Sequence, residues 1–165
     1  KETARYLSHQ FKNNLIQKIY WAIVLGIPKN QKGIINKPIF KNMISKKEKM
    51  VINYTEGLKA KTLYEVIDIK KGFSFLKIKP LTGRKHQIRI HLSSMGNPIL
   101  GDRKYNNNIS IVNNPFRKNL EMHLCAKNIV IKDINNKKIK ISAPLPNHMQ
   151  TSISILNFNM TDENE

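Results

Sequence analysis

Residues 82–105 constrain the fold of this chain more than any other stretch. They read Thr-Gly-Arg-Lys-His-Gln-Ile-Arg-Ile-His-Leu, then Ser-Ser-Met-Gly-Asn-Pro-Ile-Leu, and close on Gly-Asp-Arg-Lys-Tyr. Ile88 and Leu92 follow the i, i+4 spacing of an apolar stripe, which predicts a helix over residues 86–95. Arg89 lies at the border of that stripe, because successive helical residues are about 100° apart. A side chain at such a border can be half-buried and still face a cleft.

Three arginines, Arg84, Arg89 and Arg103, fall within this segment, although lysine is the usual cation elsewhere in the chain. A planar guanidinium can hold a carboxylate or a phosphate through two parallel hydrogen bonds, which an ammonium cannot. The segment therefore indicates a site that grips a specific anion.

The charge of the whole chain also points to an anionic partner. The formal net charge is +18, from 29 basic and 11 acidic residues, and such a surface attracts polyanions, with nucleic acid as the first candidate. The alternative is a compositional bias of the gene, since Lys, Asn and Ile are all abundant. That bias explains lysine in place of arginine, but it does not explain the small number of acids.

Cysteine content and hydropathy exclude several classes of protein. Cys125 is the only cysteine, which excludes an internal disulfide framework and a multi-cysteine zinc site and fits a reducing compartment. No apolar run reaches the roughly 18 residues of a membrane span, and the first residues lack the apolar core of a secretion signal. We expect a chain that starts within a longer protein, in a bacterial-type cytoplasm or an organellar matrix.

The coarse pattern predicts one domain of mixed α+β class, with a mainly antiparallel sheet and flanking helices. In strand 16–25, alternation places Tyr20 on the face opposite Trp21 and Ile23. Residues 29–60 are expected to form an exposed excursion with little core of its own. The other predicted elements are a helix at 2–13, hairpins at 61–79 and 128–142, and a final helix after Pro146. The domain is expected to cover residues 1–157, and residues 158–165 are expected to form a short acidic tail.

Several stretches together resemble one enzyme family. Residues 18–26 read Lys-Ile-Tyr-Trp-Ala-Ile-Val-Leu-Gly, residues 60–66 read Ala-Lys-Thr-Leu-Tyr-Glu-Val, and residues 124–126 read Leu-Cys-Ala. With residues 82–105, they resemble the RluA-type RNA pseudouridine synthases, which isomerise uridine in ribosomal and transfer RNA. The resemblance covers roughly residues 1–157 and implies a pseudouridine synthase-like catalytic domain.

The chain departs from the family pattern at two places. Cys125 stands where the family usually has histidine, and we expect only a modest packing effect. More importantly, the family's catalytic motif, Arg-Leu-Asp-x-x-Thr-Ser-Gly, is absent from the sequence, although the family has it just upstream of the helix with which this chain opens. Asp102 does not replace its aspartate, because the Gly-Asp-Arg-Lys-Tyr context favours a role in fixing a loop. The resemblance therefore implies an incomplete domain that is inactive alone.

The resemblance also implies roles for individual residues. Arg89 would orient the missing carboxylate and keep it ionised, and Tyr20 would lie beside the extruded uracil and take part in proton transfer. The alternatives are a surface arginine on a basic helix and a half-buried strand tyrosine. Contacts with RNA are assigned to Arg84, Lys85, Lys18 and Arg103. Arg84 and Lys85 are expected either to meet RNA phosphates or to fix the loop, and the alternative for these two residues is ordinary solvated charge.

No metal or cofactor is implied, since the isomerisation is redox-neutral and uses side chains. His86 and His91 are about 140° apart on a helix and cannot share a ligand face, so hydrogen bonding or packing is expected of them. The predicted partner is structured RNA, ribosomal RNA first and transfer RNA second, with no membrane. Two alternatives stay open: a non-catalytic RNA-binding remnant of a truncated or split gene, and a basic ribosome-associated structural protein.

Overall fold

The computed structural model describes residues 2–13, 15–44, 47–106, 116 and 120–160. Three helices and eight strands lie within this part of the chain. In chain order they are α1 (Glu2–Lys12), β1 (Gln17–Leu25), β2 (Lys32–Asn36), β3 (Ile39–Ile44), β4 (Lys47–Ile52), β5 (Lys61–Lys70), β6 (Phe73–Pro80), α2 (Gln87–Ser94), β7 (Leu124–Lys132), β8 (Lys138–Ser142) and α3 (Asn147–Leu156).

Six strands form one sheet in the order β2-β5-β6-β1-β7-β8, and β3 pairs with β4 in a separate hairpin. Every neighbouring pair in the main sheet is antiparallel. The expected class, α+β with a mainly antiparallel sheet and flanking helices, is confirmed. None of the described helices is long and apolar enough to cross a lipid bilayer.

The central strand β1 separates two hydrophobic clusters, because its side chains alternate between the faces of the sheet. Ala22 and Val24 pack with Ile88 and Leu92 of α2 on one face. Ile23 and Leu25 pack with Phe75 and with Ile153 and Leu156 of α3 on the other face. The predicted faces of β1 are confirmed, and helix α2 lies on the same side of the sheet as Tyr20, which packs against the first cluster.

The expectation for residues 29–60 is wrong. Strand β2 joins the main sheet beside β5, and the β3–β4 hairpin has a buried side of its own. Ile39, 1% exposed, and Met50, 7% exposed, form a third cluster with Ile90 of α2. Each apolar stretch here is so short, and so closely flanked by lysine and asparagine, that its alternation is hidden in the sequence.

The end of the chain is packed further than the sequence indicates. Phe158, the first residue of the expected tail, is 7% exposed and its ring lies 5.7 Å from that of Phe75. The backbone amide of Asn159 also donates a hydrogen bond of 2.8 Å to Asp68. The packed unit therefore reaches at least Phe158, and residues 161–165 of the expected tail lie outside the described residues.

Candidate active site

A cavity of about 200 Å³ opens where β1 begins and α2 starts, on the α2 side of the sheet. Its walls come mainly from stretches that the sequence singles out, namely residues 18 and 20, residues 82–84 and 86–89, and Leu124, together with Pro80 at the end of β6. Tyr20 and Arg89, the two predicted catalytic side chains, both line it. Residues far apart in the chain thus meet in one concave site, which is the arrangement expected of a binding pocket.

Tyr20 is held in the cavity wall by strand pairing on both sides. Its backbone lies opposite Ile78 of β6 and Ala126 of β7, and a β-bulge follows Ile19. Burial raises the pKa of the Tyr20 phenol above its ordinary value of 10.0. The phenol is therefore protonated at neutral pH and can donate a hydrogen bond.

Arg89 has an acidic partner within the chain, which the sequence analysis did not foresee. Its Nε and Nη2 donate to Oδ2 and Oδ1 of Asp102 at 2.8 Å and 2.7 Å. The arginine side chain is 18% exposed and the aspartate side chain 0%. The hydrogen bonds to Asp102 raise the pKa of Arg89, so the guanidinium stays charged, and both of its bonds to described residues leave the Nη1 amino group unused.

Asp102 fixes the loop after α2, as its sequence context indicates. Besides Arg89, its Oδ1 accepts hydrogen bonds from the backbone amides of Lys104 at 2.9 Å and Tyr105 at 3.1 Å. Burial raises the pKa of Asp102, but these donors outweigh burial and leave the pKa below its ordinary value. The carboxylate is ionised, fully enclosed and occupied by donors, and these properties suit a positioning role.

Tyr105 contacts both Arg89, through its ring, and His86, through its hydroxyl. The Arg89 guanidinium carbon lies 4.9 Å from the centre of the Tyr105 ring, a cation–π distance. The Tyr105 hydroxyl accepts the Met50 amide at 3.2 Å and lies 2.9 Å from Nδ1 of His86. Burial, followed by the charges of Arg89 and nearby lysines, lowers the pKa of His86. His86 is therefore neutral near pH 7, its Nδ1 shares one hydrogen bond with the Tyr105 hydroxyl, and its side chain also lines the cavity.

Gln87 is a site residue that the sequence analysis missed. Its Oε1 accepts from the Thr82 hydroxyl at 2.8 Å and from the Arg84 amide at 3.0 Å. Its Nε2 donates to the Lys61 carbonyl at 2.9 Å and to the Thr62 hydroxyl at 3.0 Å. A buried amide with four partners shapes the loop that forms one wall of the cavity. The position of Gln87 between His86 and Ile88 in the motif was the available signal.

The four predicted RNA contacts separate into two groups. Lys18 and Arg84 line the cavity, and Arg84 Nε also donates to the Lys59 carbonyl at 3.2 Å. Lys85 and Arg103 are exposed and are not among its lining residues. Lys85 forms an ion pair of 2.6 Å with Glu48 on β4. Hydrogen bonds from Lys85 and Lys41 lower the pKa of Glu48 to about 2.

Within the part of the chain described, Asp102 is the acid that contacts Arg89, and no carboxylate lines the cavity itself. None of the residues that line the cavity is an aspartate or a glutamate, and within the described ranges no three His, Cys, Asp or Glu side chains could hold a metal ion. Cys125 is buried, and burial raises the pKa of its thiol, so it is a packing residue here. The cavity therefore offers a phenol, a guanidinium and two further cations to a polar or anionic ligand.

Comparison with known proteins gives a consistent result. A family model described as RNA pseudouridylate synthase matches residues 1–94. An uncharacterized RNA pseudouridine synthase of Zymomonas mobilis is 35% identical over 147 residues, covering 86% of this chain and 63% of that protein. Ribosomal large subunit pseudouridine synthase D of Blochmanniella floridana is 33% identical, covering 91% of this chain and 49% of that protein.

Two further proteins extend the comparison. Mitochondrial RNA pseudouridine synthase 4 of Arabidopsis thaliana is 30% identical, covering 86% of this chain and 40% of that protein. The structure of human RNA pseudouridylate synthase domain containing 4 has a TM-score of 0.78 at 24% identity, covering 98% of this chain and 70% of the human chain. It shows the same fold. The chain thus spans 40–63% of the length of these three sequence relatives.

Proposed function

Because the chain belongs to the RNA pseudouridylate synthase family, we propose that it contributes the base-binding part of an enzyme that converts uridine to pseudouridine in RNA. The carboxylate that acts at the sugar is supplied from outside residues 1–165. Large-subunit ribosomal RNA is the proposed substrate, because relatives carry that substrate in their names; transfer RNA is the alternative. The proposed compartment is a bacterial cytoplasm or an organellar matrix, after the bacterial and mitochondrial relatives.

The observation that carries this proposal is the shared cavity of Tyr20 and Arg89. Isomerisation breaks the bond between uracil N1 and the sugar, turns the base, and rejoins it through C5. The proton that leaves C5 is finally replaced by one at N1, so atoms balance without a redox partner. A base that is detached and turned must be held by a surface that tolerates rotation, and a phenol ring can stack on it in either orientation.

Arg89 is proposed to direct the external carboxylate. Its Nε and Nη2 groups are both held by Asp102, so the guanidinium plane is fixed, and the side chain also lines the cavity. A rigid donor loses little entropy when it binds an acid, and its charge favours the ionised form of that acid. Asp102 thus acts as a positioning residue that prepares Arg89.

RNA affinity is proposed to come from the basic surface around the cavity. Lys18 and Arg84 line the opening, and the net charge of +18 provides contacts with phosphates that do not depend on sequence. Extrusion of a uridine from its stack costs a few kcal/mol, and these contacts offset that cost.

A second function, RNA binding without turnover, is favoured by one observation. Arg89 already has a charged partner in Asp102 within this chain, so its charge is balanced without an added acid. A remnant that kept only the binding surface would need nothing more.

Release of tritium from RNA labelled at uracil C5 separates the two functions. We compare residues 1–165 with an extended protein, in which an upstream segment carrying the Arg-Leu-Asp motif is joined to Lys1. Release by the extended protein and none by residues 1–165 is expected. If the extended protein binds RNA without release, the remnant function is correct. If residues 1–165 release tritium alone, the proposed origin of the carboxylate is wrong.

A further inference from the structure

The candidate active site continues into two further cavities. A cavity of about 160 Å³ shares Lys18, Pro80 and Thr82 with the active-site cavity. A larger one of about 540 Å³ shares Gln17 and Lys79 with that second cavity. Because each cavity shares lining residues with the next, we treat the three as one surface, here called the edge groove, at the end of the sheet where β1 begins and β6 ends.

The edge groove connects the two faces of the sheet. On β1, Lys18 and Tyr20 lie on the α2 face, whereas Gln17 and Ile19 lie on the opposite face, because strand side chains alternate. Gln17 and Ile19 both line the cavity of about 540 Å³. A ligand that leaves the active site past Lys18 would therefore pass the ends of strands β1 and β6 and reach the opposite face of the sheet.

The chemistry of the groove fits a chain with an anionic backbone. Lys18 stands at the first junction and Lys79 at the second, so a cation accompanies each step. On the far face the floor is aliphatic, formed by Ile19, Ile34 and Leu63. Lys32 and Glu65 also line it and form an ion pair of 2.5 Å with each other, so together they add no net charge. Lys77 is a further lysine of this lining.

We propose that the edge groove binds the single strand of RNA that flanks the target uridine, with phosphates at Lys18 and Lys79 and with sugars and bases over the aliphatic floor. This inference rests on the proposed function. An extruded uridine requires its neighbours to leave regular stacking, and a basic groove with an apolar floor is how proteins hold single strands without reading their sequence. The groove begins at the cavity that would receive the uridine, so the flanking strand would enter the groove at that end.

The test uses the extended protein and two sets of RNA. The first set is one stem-loop with the target uridine in its loop. The second set has two RNAs with a shortened stem that opens beside the uridine. One of them carries an unpaired extension on the 5′ side, and the other carries it on the 3′ side. Binding is measured by fluorescence anisotropy over a salt series. Each single-strand phosphate contact contributes about −0.7 to the slope of log K against log salt.

Lys79→Gln is the test variant and Lys71→Gln its matched control. Lys71 is exposed in the turn before β6 and lies roughly 25 Å from Lys79 along the strand, at about 3.3 Å per residue. We expect Lys79→Gln to make the slope for one extended RNA shallower by about 0.7, and to leave the slope for the stem-loop unchanged. Lys71→Gln should leave both slopes unchanged.

Three outcomes would overturn the proposal. The first is an equal effect of Lys79→Gln on the stem-loop and on both extended RNAs, and the second is an equal effect of both variants. The third is no change of slope in Lys79→Gln for either extended RNA; a loss of thermal stability in that case would mean that protein covers the groove. If the extended protein binds the RNAs and releases tritium but Lys79→Gln has no effect, only the groove assignment fails. If it neither binds nor reacts, the proposed function fails as well.

Discussion

Asp102 holds Arg89 through two hydrogen bonds, of 2.8 Å to Nε and 2.7 Å to Nη2, although Arg89 lies on α2 and Asp102 in the loop after it. The aspartate is fully enclosed, while the arginine is 18% exposed toward the candidate site. A guanidinium fixed along one edge can direct its other edge toward an incoming group without a search over rotamers. The pair is therefore the link between the fold and the proposed chemistry.

Replacement of Arg89 by lysine should reduce turnover far more than RNA affinity. In the extended protein, Arg89→Lys keeps the charge but loses the fork, so we expect kcat to fall about 100-fold, as for loss of one preorganised donor, while Kd changes less than about threefold. Single-turnover tritium release and anisotropy measure the two quantities. Arg103→Lys, at an exposed position, is the control; equal losses of rate and affinity in Arg89→Lys would contradict the role.

Replacement of Tyr20 by phenylalanine tests the phenol. The ring that stacks on uracil is kept and only the hydroxyl is lost, so binding should persist, whereas turnover should fall by about 100-fold or more if the hydroxyl moves a proton. Tyr54→Phe provides the control, because Tyr54 is 74% exposed. An unchanged rate in Tyr20→Phe would reduce Tyr20 to a packing residue.

Loss of the buried carboxylate should change both stability and its dependence on acid. Asp102→Asn leaves Arg89 without its charged partner, and breaking a buried pair costs about 3 kcal/mol of unfolding free energy. The pKa of Asp102 is lower in the folded chain than in the unfolded chain, so its stabilisation is present above the unfolded pKa, about 3.9, and is lost as the pH falls through the folded value.

Denaturant titrations of the extended protein and its Asp102→Asn variant between pH 7 and pH 2 measure this effect. The variant should be less stable at pH 7 and its stability should depend less on pH below about 4. Parallel curves with the same slope in acid would show that Asp102 does not titrate with folding.

Protonation of His91 should destabilise the fold as the pH falls, and it should do so at a higher pH than protonation of Asp102. Its Nε2 donates to the Lys37 carbonyl at 2.9 Å and its Nδ1 accepts from the Thr62 hydroxyl at 2.8 Å, as in a neutral ring. Burial lowers the pKa of His91, so the unfolded chain takes up its proton first and stability falls as the pH drops below about 6.5. His91→Gln keeps one donor and one acceptor but does not titrate. It should therefore make the fall of the unfolding free energy between pH 7 and pH 5 less steep; His86 and His123, whose pKa values burial also lowers, keep part of the slope. An unchanged slope would refute this assignment.

Lys18 and Lys85 should differ in their contribution to RNA binding, although the sequence analysis predicts the same role for both. Lys18 lines the cavity, whereas Lys85 is paired with Glu48 and must leave that partner to reach a phosphate. Lys18→Gln should make the salt slope shallower by about 0.7 to 0.9, and Lys85→Gln should change it less. Anisotropy over a salt series decides, and a larger effect of Lys85→Gln would reverse the ranking.

Much of this arrangement could be predicted because it follows a simple period. Strict alternation in β1 places Tyr20 on the α2 face, and the spacing of Ile88 and Leu92 places Arg89 at the border of the helix. The pairing of Arg89 with Asp102 has no such periodic pattern in the sequence. The position of Asp102 depends on the turn at Gly101, where φ is +81° and an added Cβ would lie 2.0 Å from the Glu121 carbonyl oxygen. Such a close approach is a tertiary property.

Contacts between distant segments were missed for the same reason. The ion pair of Lys85 joins it to Glu48 on another element, and the buried side of the β3–β4 hairpin exists only because α2 presents Ile90 to it. In both cases a short polar stretch becomes ordered by a partner that its own sequence does not specify.

The most direct test of the shared site is a double-mutant cycle in the extended protein with Arg89→Lys and Tyr20→Phe, followed by single-turnover tritium release. If both side chains act on one uridine in one cavity, the effects are not additive, and the double variant should be little slower than the slower single variant. Rate losses that multiply, as for two independent positions, would contradict the account.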